Sequence, residues 1–269
     1  MTSESKPRTA VVTGASSGIG QSVAEELGRL GWRVAVGARR TDRLGDTAAR
    51  VERAGGQAFT HPLDVTDPQS VETFMVAAEA VLGPVDVLVN NAGMSIPGPF
   101  HEISASDHLR EVATNYLGAL YVTRLAIASM LARHARGDLV FVSSDATRQP
   151  RPRMVTYGAT KAALEHMARA LAMELEGTGI RSTVVRVGPT FTEFGFSWDP
   201  EQVEELLGYW LRFGLQRHAG VMEPTSVARA VVVALTTPEG VHLDTVEVQP
   251  EAPAELRAAE PLPRPAEAS

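Results

Sequence analysis

The stretch Thr9-Ala10-Val11-Val12-Thr13-Gly14-Ala15-Ser16-Ser17-Gly18-Ile19-Gly20 decides the fold. Its first five residues predict a short buried strand, and apolar residues at helical spacing follow the last glycine. A strand, a glycine-rich turn and a helix N-terminus form a cradle for phosphate, because glycine lets the backbone approach the anion. The stretch therefore predicts a dinucleotide-binding turn built on Gly14, Gly18 and Gly20.

Length and composition narrow the class of protein. A chain of 269 residues suffices for one large α/β domain, and a formal net charge of −7 argues against nucleic acid or membrane surfaces as partners. The absence of cysteine excludes disulfides and thiol catalysis, and the seven histidines lack metal-ligand spacing, so we expect no metal. Neither a signal peptide nor a membrane-spanning run is apparent, so we expect a cytoplasmic enzyme.

Strand and helix patterns alternate along most of the chain. Apolar strands are predicted over 9–13, 33–37, 57–64, 85–89, 138–142, 182–187 and 245–248. The segments between them have helical character, including 42–54, a helix that starts at Asp67-Pro68, and 106–132. This alternation predicts a single-domain Rossmann fold of class α/β, with a doubly wound, mostly parallel seven-stranded sheet and helices on both faces.

Three parts of the chain depart from this rhythm. Residues 1–7 are expected to be a flexible N-terminus, and 251–269, rich in Ala, Pro and Glu, a disordered tail after the 8–250 domain. Residues 190–222, called the 190–222 segment below, form a long insertion rich in aromatic residues. It is interpreted either as a helix docked on the core or as a lid over an apolar substrate.

A tyrosine and a lysine, Tyr157 and Lys161, are four residues apart in a predicted helix. That spacing puts both side chains on one helix face, and the ammonium is expected to lower the pKa of the phenol. A phenol tuned in this way can exchange a proton with an alcohol or a carbonyl. The pair therefore predicts acid–base chemistry.

Taken together, these motifs resemble the short-chain dehydrogenase/reductase family over residues 8 to 250. The resemblance rests on motifs found in the family's order, namely Thr13-Gly14-x-x-x-Gly18-x-Gly20, Asp64, Asn90-Asn91-Ala92-Gly93, Asn115, Ser144, Tyr157 and Lys161. It implies that Tyr157 exchanges the proton, that Ser144 stabilises the substrate oxygen, and that Lys161 lowers the tyrosine pKa and holds the nicotinamide ribose. Asn115 would hold a water that links Lys161 to solvent. Ser143 is the less favoured alternative to Ser144.

The resemblance also implies a set of cofactor-binding residues. After the sixth strand the family has Pro-Gly, whereas this chain has Val187-Gly188, which keeps the glycine turn. Thr192 keeps the threonine that contacts the carboxamide. The implied set is Gly14, Ser16, Ser17, Gly18, Ile19, Gly20, Arg39, Arg40, Asp64, Val65, Asn91, Ala92, Gly93, Tyr157, Lys161, Gly188, Thr190 and Thr192.

The end of the second strand indicates which nicotinamide cofactor binds. An NAD enzyme of this shape has an acidic residue there, but this chain reads Gly37-Ala38-Arg39-Arg40. An arginine suits a 2′-phosphate, so we expect NADP(H) rather than NAD(H), with Arg39 favoured over Arg40. Asp42 is the rival acid, but its position predicts a helix cap instead.

Substrate and assembly are less constrained. The aromatic 190–222 segment favours a small-molecule alcohol or carbonyl that is bulky and apolar. One group of arginines in the loop before Tyr157 either meets an anionic substrate or carrier or is solvated, namely Arg148, Arg151 and Arg153. If the chain is a 3-oxoacyl-thioester reductase, a second group could dock an acyl carrier, namely Arg133, Arg136 and Arg169. A non-catalytic dinucleotide-binding regulator is a further alternative. The resemblance implies a homodimer or homotetramer.

Overall fold

Seven strands form one sheet in a computed structural model of the chain, which describes residues 7–196, 198–215 and 218–252. All strand pairs are parallel, and the order across the sheet is β3-β2-β1-β4-β5-β6-β7. The strands are β1 (Thr9–Thr13), β2 (Arg33–Ala38), β3 (Gln57–Pro62), β4 (Val87–Asn90), β5 (Gly137–Ser144), β6 (Ile180–Val187) and β7 (Thr245–Val248). The predicted Rossmann fold is confirmed.

Helices cover both faces of the sheet, because strand side chains alternate between them. Val12 belongs to one buried apolar cluster with helix residues such as Val23 and Val227, and Val11 belongs to the other with Phe74 and Leu164. The helices are α1 (Gly18–Arg29), α2 (Leu44–Arg53), α3 (Pro68–Leu82), α4 (Ala105–Val112), α5 (Gly118–Ala132), α6 (Val155–Glu174), α7 (Pro200–Arg212) and α8 (Pro224–Leu235).

Two helix starts test the capping predictions. Asp67 caps α3 as predicted, since its side chain accepts a hydrogen bond from the Gln69 amide and Pro68 follows. The prediction that Asp42 caps the next helix is wrong. Asp42 lies inside a 3₁₀ turn, Thr41–Arg43, that precedes α2, and no side chain caps either start.

The predicted helix over 106–132 is continuous in space but changes its winding. A π-type turn, Ala113–Leu117, separates α4 from α5 and contains Asn115. Such turns interrupt the regular hydrogen bonding of an α-helix and are frequent at functional sites. The local expansion lets the Asn115 side chain leave the helix and bond to the loop after β4.

The 190–222 segment is closed at its base by a backbone bridge between Thr190 and Met222. It contains a short turn, Glu193–Gly195, and then α7. The predictions of a flexible N-terminus and a disordered tail fall almost entirely outside the described residues. No helix in the described part of the chain combines the length and the apolar character needed to cross a bilayer.

Candidate active site

A cavity of about 720 Å³ opens at the carboxyl ends of the strands. β1 lies between β2 and β4, so the chain leaves the middle of the sheet in opposite directions, and that point is where open α/β sheets bind ligands. Every predicted cofactor-binding residue except Gly20 lines this cavity, as do Ser144, Tyr157 and Lys161. Gly20 and Asn115 lie behind its wall.

The glycine turn has the shape that a pyrophosphate requires. Gly14 and Gly18 have φ angles of +64° and +56°, and a Cβ on Gly14 would lie 2.8 Å from the Ala92 Cα. A Cβ on Gly20 would lie 2.6 Å from the Gly14 carbonyl oxygen, so this glycine allows α1 to pack against the turn. No side chain caps α1 and its first turn has no acidic residue, so its N-terminal amides can serve an anion. These residues fit a dinucleotide.

Asn91 holds the glycine turn in place. Its Nδ2 donates to the Thr13 and Gly14 carbonyl oxygens at 3.0 and 3.2 Å, and Thr13 Oγ1 accepts from the Asn91 and Ala92 amides, both at 3.1 Å. The loop after β4 is therefore fixed to the loop after β1. Asn91 supports the cavity wall through its side chain as well as lining it.

Tyr157 and Ser144 face the cavity from α6 and from the end of β5. Burial raises the pKa of Tyr157 to about 12, although the neighbouring Ser144 hydroxyl lowers it. The structure therefore reverses the expected direction of the tyrosine pKa. The expectation took account of the nearby cation but not of the loss of solvent around the phenol.

Lys161 lies one turn after Tyr157 and is also buried. Its Nζ donates to the Val142 carbonyl oxygen at 2.8 Å and lies 5.8 Å from the centroid of the Tyr157 ring. Burial lowers the pKa of Lys161 to about 8. Both members of the pair are thus shifted towards their neutral forms.

Asn115 lies beside Lys161, behind Gly93. Its Nδ2 donates to the Met94 carbonyl oxygen at 2.8 Å, and its Oδ1 accepts from the Met94 amide at 2.8 Å. A Cβ on Gly93 would lie 3.4 Å from Asn115 Oδ1 and 3.5 Å from Lys161 Nζ. The missing side chain at this glycine leaves the space between the two polar groups open.

Two buried carboxylates behind the wall were missed by the sequence analysis. Glu165 accepts from Ser143 Oγ and Arg186 Nη2 at 2.8 and 2.7 Å. Burial alone would raise the pKa of Glu165, but these bonds hold it below its ordinary value. Glu111 accepts from the Ile96 amide at 2.9 Å, and burial raises its pKa. Glu165 lies on the face of α6 that buries Leu164 and Ala168, which was an available signal, whereas the helix neighbours of Glu111 are polar and gave none.

Ser143 and Ser144 are distinguished by these contacts. Ser143 donates to Glu165, whereas Ser144 Oγ accepts from the Ala146 amide at 3.2 Å and donates a long hydrogen bond of 3.4 Å to Asp145 Oδ1. Because the bond to Asp145 is long and therefore weak, the Ser144 hydroxyl can redirect its hydrogen to a ligand in the cavity.

Arginine side chains form the rim near the glycine turn. Arg40 donates to Ser16 Oγ at 3.0 Å and to Ser17 Oγ at 2.6 Å, and Arg39 lies beside it on the cavity wall. Arg40, the second choice from sequence, is thus the arginine bonded to the predicted phosphate-binding loop.

The other arginines singled out from sequence have protein partners. Arg151 is buried, pairs with Asp145 at 2.7 Å and stacks on the Trp210 ring, whereas Arg148 and Arg153 pair with Glu247 and Glu205. The three proposed carrier-docking residues, Arg133, Arg136 and Arg169, bond to Asp86, Glu239 and Glu165. Each of these three arginines thus has an acidic partner in the protein, and the Arg136 and Arg169 side chains remain 51% and 52% exposed.

Aromatic side chains form the wall opposite the glycine turn. The Phe194 ring lies 5.4 Å from that of Tyr157 and 5.7 Å from that of Trp198, between centroids. Leu206 of α7 packs against Met154 and Tyr157 in a small buried cluster. The 190–222 segment is therefore both a helix docked on the core and a wall of the cavity.

Comparison with known proteins finds relatives that are similar over most of this chain. The chain is 37% identical over 244 residues to glycine betaine reductase ATRR of Emericella nidulans, which covers 90% of this chain, and it spans 19% of that relative's length. It is 31% identical over 245 residues to the NADP-dependent 3-hydroxy acid dehydrogenase YdfG of Salmonella typhi, over 89% of this chain and 94% of the relative.

A solved structure is also similar to this chain over most of its length. The alcohol dehydrogenase from the archaeon Thermococcus sibiricus, complexed with 5-hydroxy-NADP, matches with a TM-score of 0.77 at 29% identity, over 90% of this chain and 96% of that one. A family model described as short chain dehydrogenase matches residues 8–202. The chain therefore belongs to the short-chain dehydrogenase family of oxidoreductases.

Proposed function

We propose that this oxidoreductase transfers a hydride between NADP(H) and a secondary alcohol or ketone with a bulky apolar substituent. The observation that carries the proposal is one cavity that combines the glycine turn, Tyr157, Ser144 and Lys161 with an aromatic wall. Arg39 and Arg40 on its rim support the phosphorylated cofactor, and so do the names of YdfG and of the Thermococcus complex.

The reacting groups of the chain would handle the proton and the charge. NADPH supplies the hydride when it is bound. Tyr157, whose pKa burial raises to about 12, is protonated at neutral pH and donates its proton to the substrate oxygen. Ser144 offers a hydrogen bond to the same oxygen as negative charge develops there. Lys161 and Asn115 would restore the tyrosine proton from the inner side.

The aromatic wall favours an apolar substrate. Phe194, Trp198 and Trp210 line the cavity with Met154, and Arg151, which stacks on Trp210, is paired with Asp145. A hydrocarbon or aromatic substituent would replace water along this wall, which is a favourable exchange of about 25 cal/mol for each Å² of apolar surface. A free carboxylate or phosphate on the substrate would have to compete with Asp145 for Arg151 at this wall.

Substitution of Tyr157→Phe tests the proposal. We expect turnover of a ketone panel with NADPH to fall by about 10²- to 10⁴-fold, with NADPH affinity unchanged, because only the proton donor is removed. Tyr121→Phe makes the same chemical change outside the cavity and should leave turnover intact. Retained turnover in the Tyr157→Phe variant would refute the assigned role. Absence of turnover in the wild type, together with unchanged cellular function in the Tyr157→Phe variant, would favour a non-catalytic regulator.

The homodimer or homotetramer is part of the same proposal. Exposed apolar side chains support it, since Leu109 on α4 and Val155 and Met173 on α6 are 64%, 52% and 74% exposed. Exposed apolar side chains on two helices that contact each other favour association. Light scattering after size exclusion measures the mass in solution, and a monomer mass would contradict this part.

A further inference from the structure

Three charged side chains meet at the rim of the cavity. Glu193 lies in the 190–222 segment, and Arg40 and Arg43 lie in the loop between β2 and α2. Arg40 Nη1 donates to Glu193 Oε2 at 2.7 Å, and Arg43 Nη1 lies 2.7 Å from both carboxylate oxygens. One carboxylate therefore ties the 190–222 segment to the loop where a 2′-phosphate is expected.

The donors around this carboxylate suit a larger anion. Arg40 also reaches Ser16 Oγ and Ser17 Oγ on the glycine turn, so two guanidinium groups and two hydroxyls converge on one place. A phosphate monoester has three acceptor oxygens and about twice the charge of a carboxylate, and arginine forks and hydroxyls match it well. Hydrogen bonds from Arg40 and then Arg43 hold the pKa of Glu193 below its ordinary value, so it is ionised at neutral pH.

We infer that Glu193 is an intramolecular competitor for the 2′-phosphate of NADP(H) at Arg40 and Arg43. The inference rests on the proposed function, because it requires the phosphorylated cofactor. When the phosphate takes these two arginines, the 190–222 segment loses its link to the loop after β2. A cofactor with a free 2′-hydroxyl leaves the ion pairs in place.

This competition couples cofactor choice to the cavity wall. Glu193 is adjacent to Phe194, whose ring contacts Tyr157, and to Thr192, whose methyl group would lie 3.3 Å from a Cβ on Gly18. Glu193 thus lies between the expected 2′-phosphate site and the aromatic wall of the cavity. An anion that replaces Glu193 at the two arginines loosens the 190–222 segment. By thermodynamic linkage, a ligand that fixes this segment weakens phosphate binding by the same factor.

Calorimetric titration with two nucleotides tests the competition without turnover. Adenosine 2′,5′-bisphosphate carries the 2′-phosphate and adenosine 5′-monophosphate lacks it, and neither carries nicotinamide. We expect Glu193→Gln to bind the bisphosphate about three- to tenfold more tightly than the wild type, the range for losing two exposed ion pairs. Its affinity for the monophosphate should stay unchanged. Glu204 is an exposed residue of α7 in the same segment. Glu204→Gln removes the same charge as Glu193→Gln, so it is the control, and it should change neither affinity.

Hydrogen exchange supplies a second measurement on the wild type. The amides of Phe194 and Phe196, bonded within the turn, should exchange faster with the bisphosphate than with the monophosphate. Equal or weaker bisphosphate binding by Glu193→Gln would overturn the inference and would mean that Glu193 orients the arginines. Equal tightening by Glu204→Gln would also overturn it. A wild type that binds the bisphosphate no better than the monophosphate would instead remove the proposed cofactor, and with it this inference.

Discussion

Replacing Lys161 by methionine isolates the energetic cost of a buried ammonium. The Lys161 side chain is buried, and burial lowers its pKa from 10.5 to about 8. Methionine has a similar length and no charge, so the packing changes little. The substitution removes the hydrogen bond that Lys161 donates to the Val142 carbonyl oxygen, which costs about 1–3 kcal/mol at every pH.

The charge of Lys161 makes a pH-dependent contribution to the free energy of unfolding, and the sign of this contribution follows from the lowered pKa. Between pH 8 and 10.5 the unfolded chain still binds the lysine proton while the folded chain has released it, so the unfolded state binds more protons and wild-type stability rises with pH. A pKa lowered by about 2.5 corresponds to about 3 kcal/mol, which the wild type regains across that window. The variant has no such group. Its free energy of unfolding relative to the wild type should therefore fall by about 3 kcal/mol from pH 8 to pH 10.5.

Urea unfolding of both proteins at one protein concentration and four pH values between 7.5 and 10.5 measures this difference. Tyr157 and the other titrating groups are common to both chains and largely cancel. A difference that stays constant with pH would show that Lys161 titrates near 10.5 in the folded protein. A difference that changes in the opposite direction would show that its pKa is raised, as a close phenolate partner would require.

Two further substitutions test the surroundings of the site. Glu165→Gln should lower the free energy of unfolding by about 3 kcal/mol at pH 7, because Arg186 loses a buried partner. Since the pKa of Glu165 is held below 4.5, the stability that its carboxylate contributes is present above that pH and is lost in acid. The loss of unfolding free energy caused by Glu165→Gln should therefore be smaller at pH 3 than at pH 7. An equal loss at both pH values would contradict the ion-pair assignment. Gly20→Ala should weaken NADPH binding at least tenfold by fluorescence titration, because the new Cβ would lie 2.6 Å from the Gly14 carbonyl oxygen. Gly45 has open space around it, so Gly45→Ala is the control. It should stabilise α2 by about 0.5–1 kcal/mol and leave NADPH binding unchanged. Equal binding by the two glycine variants would contradict the close packing of α1 on the turn.

Patterns that act over a few residues were enough to predict the sheet and most of the cavity. The strand before Gly14, the Asp67-Pro68 helix start and the Tyr157–Lys161 spacing each carry local geometry, and the structure agrees with all three. Parallel strands then bring their carboxyl ends to one edge, so residues far apart in sequence meet without any pairwise signal. The roles of these residues stay predictions until variants are measured.

Contacts between distant parts of the chain could not be predicted in this way. Glu193 and Arg43 are 150 positions apart, and only the docking of the 190–222 segment brings them together. The same limit explains the error over Asp42. The sequence shows an acid before a helical pattern, but the chain enters α2 through a 3₁₀ turn, which places that acid within the turn rather than ahead of it.

The reversed pKa of Tyr157 bears on the direction in which the site works best. At neutral pH a phenol with a pKa of about 12 is fully protonated and can act at once as an acid towards a carbonyl oxygen. Acting as a base towards an alcohol first requires loss of that proton, which burial opposes. Lys161 can ease this loss only when it is itself charged, and its pKa of about 8 keeps it mostly charged at pH 7 but not at pH 9. In the proposed mechanism, alcohol oxidation would therefore depend on two groups whose titrations act in opposite directions as the pH rises, whereas carbonyl reduction would depend mainly on a tyrosine that stays protonated.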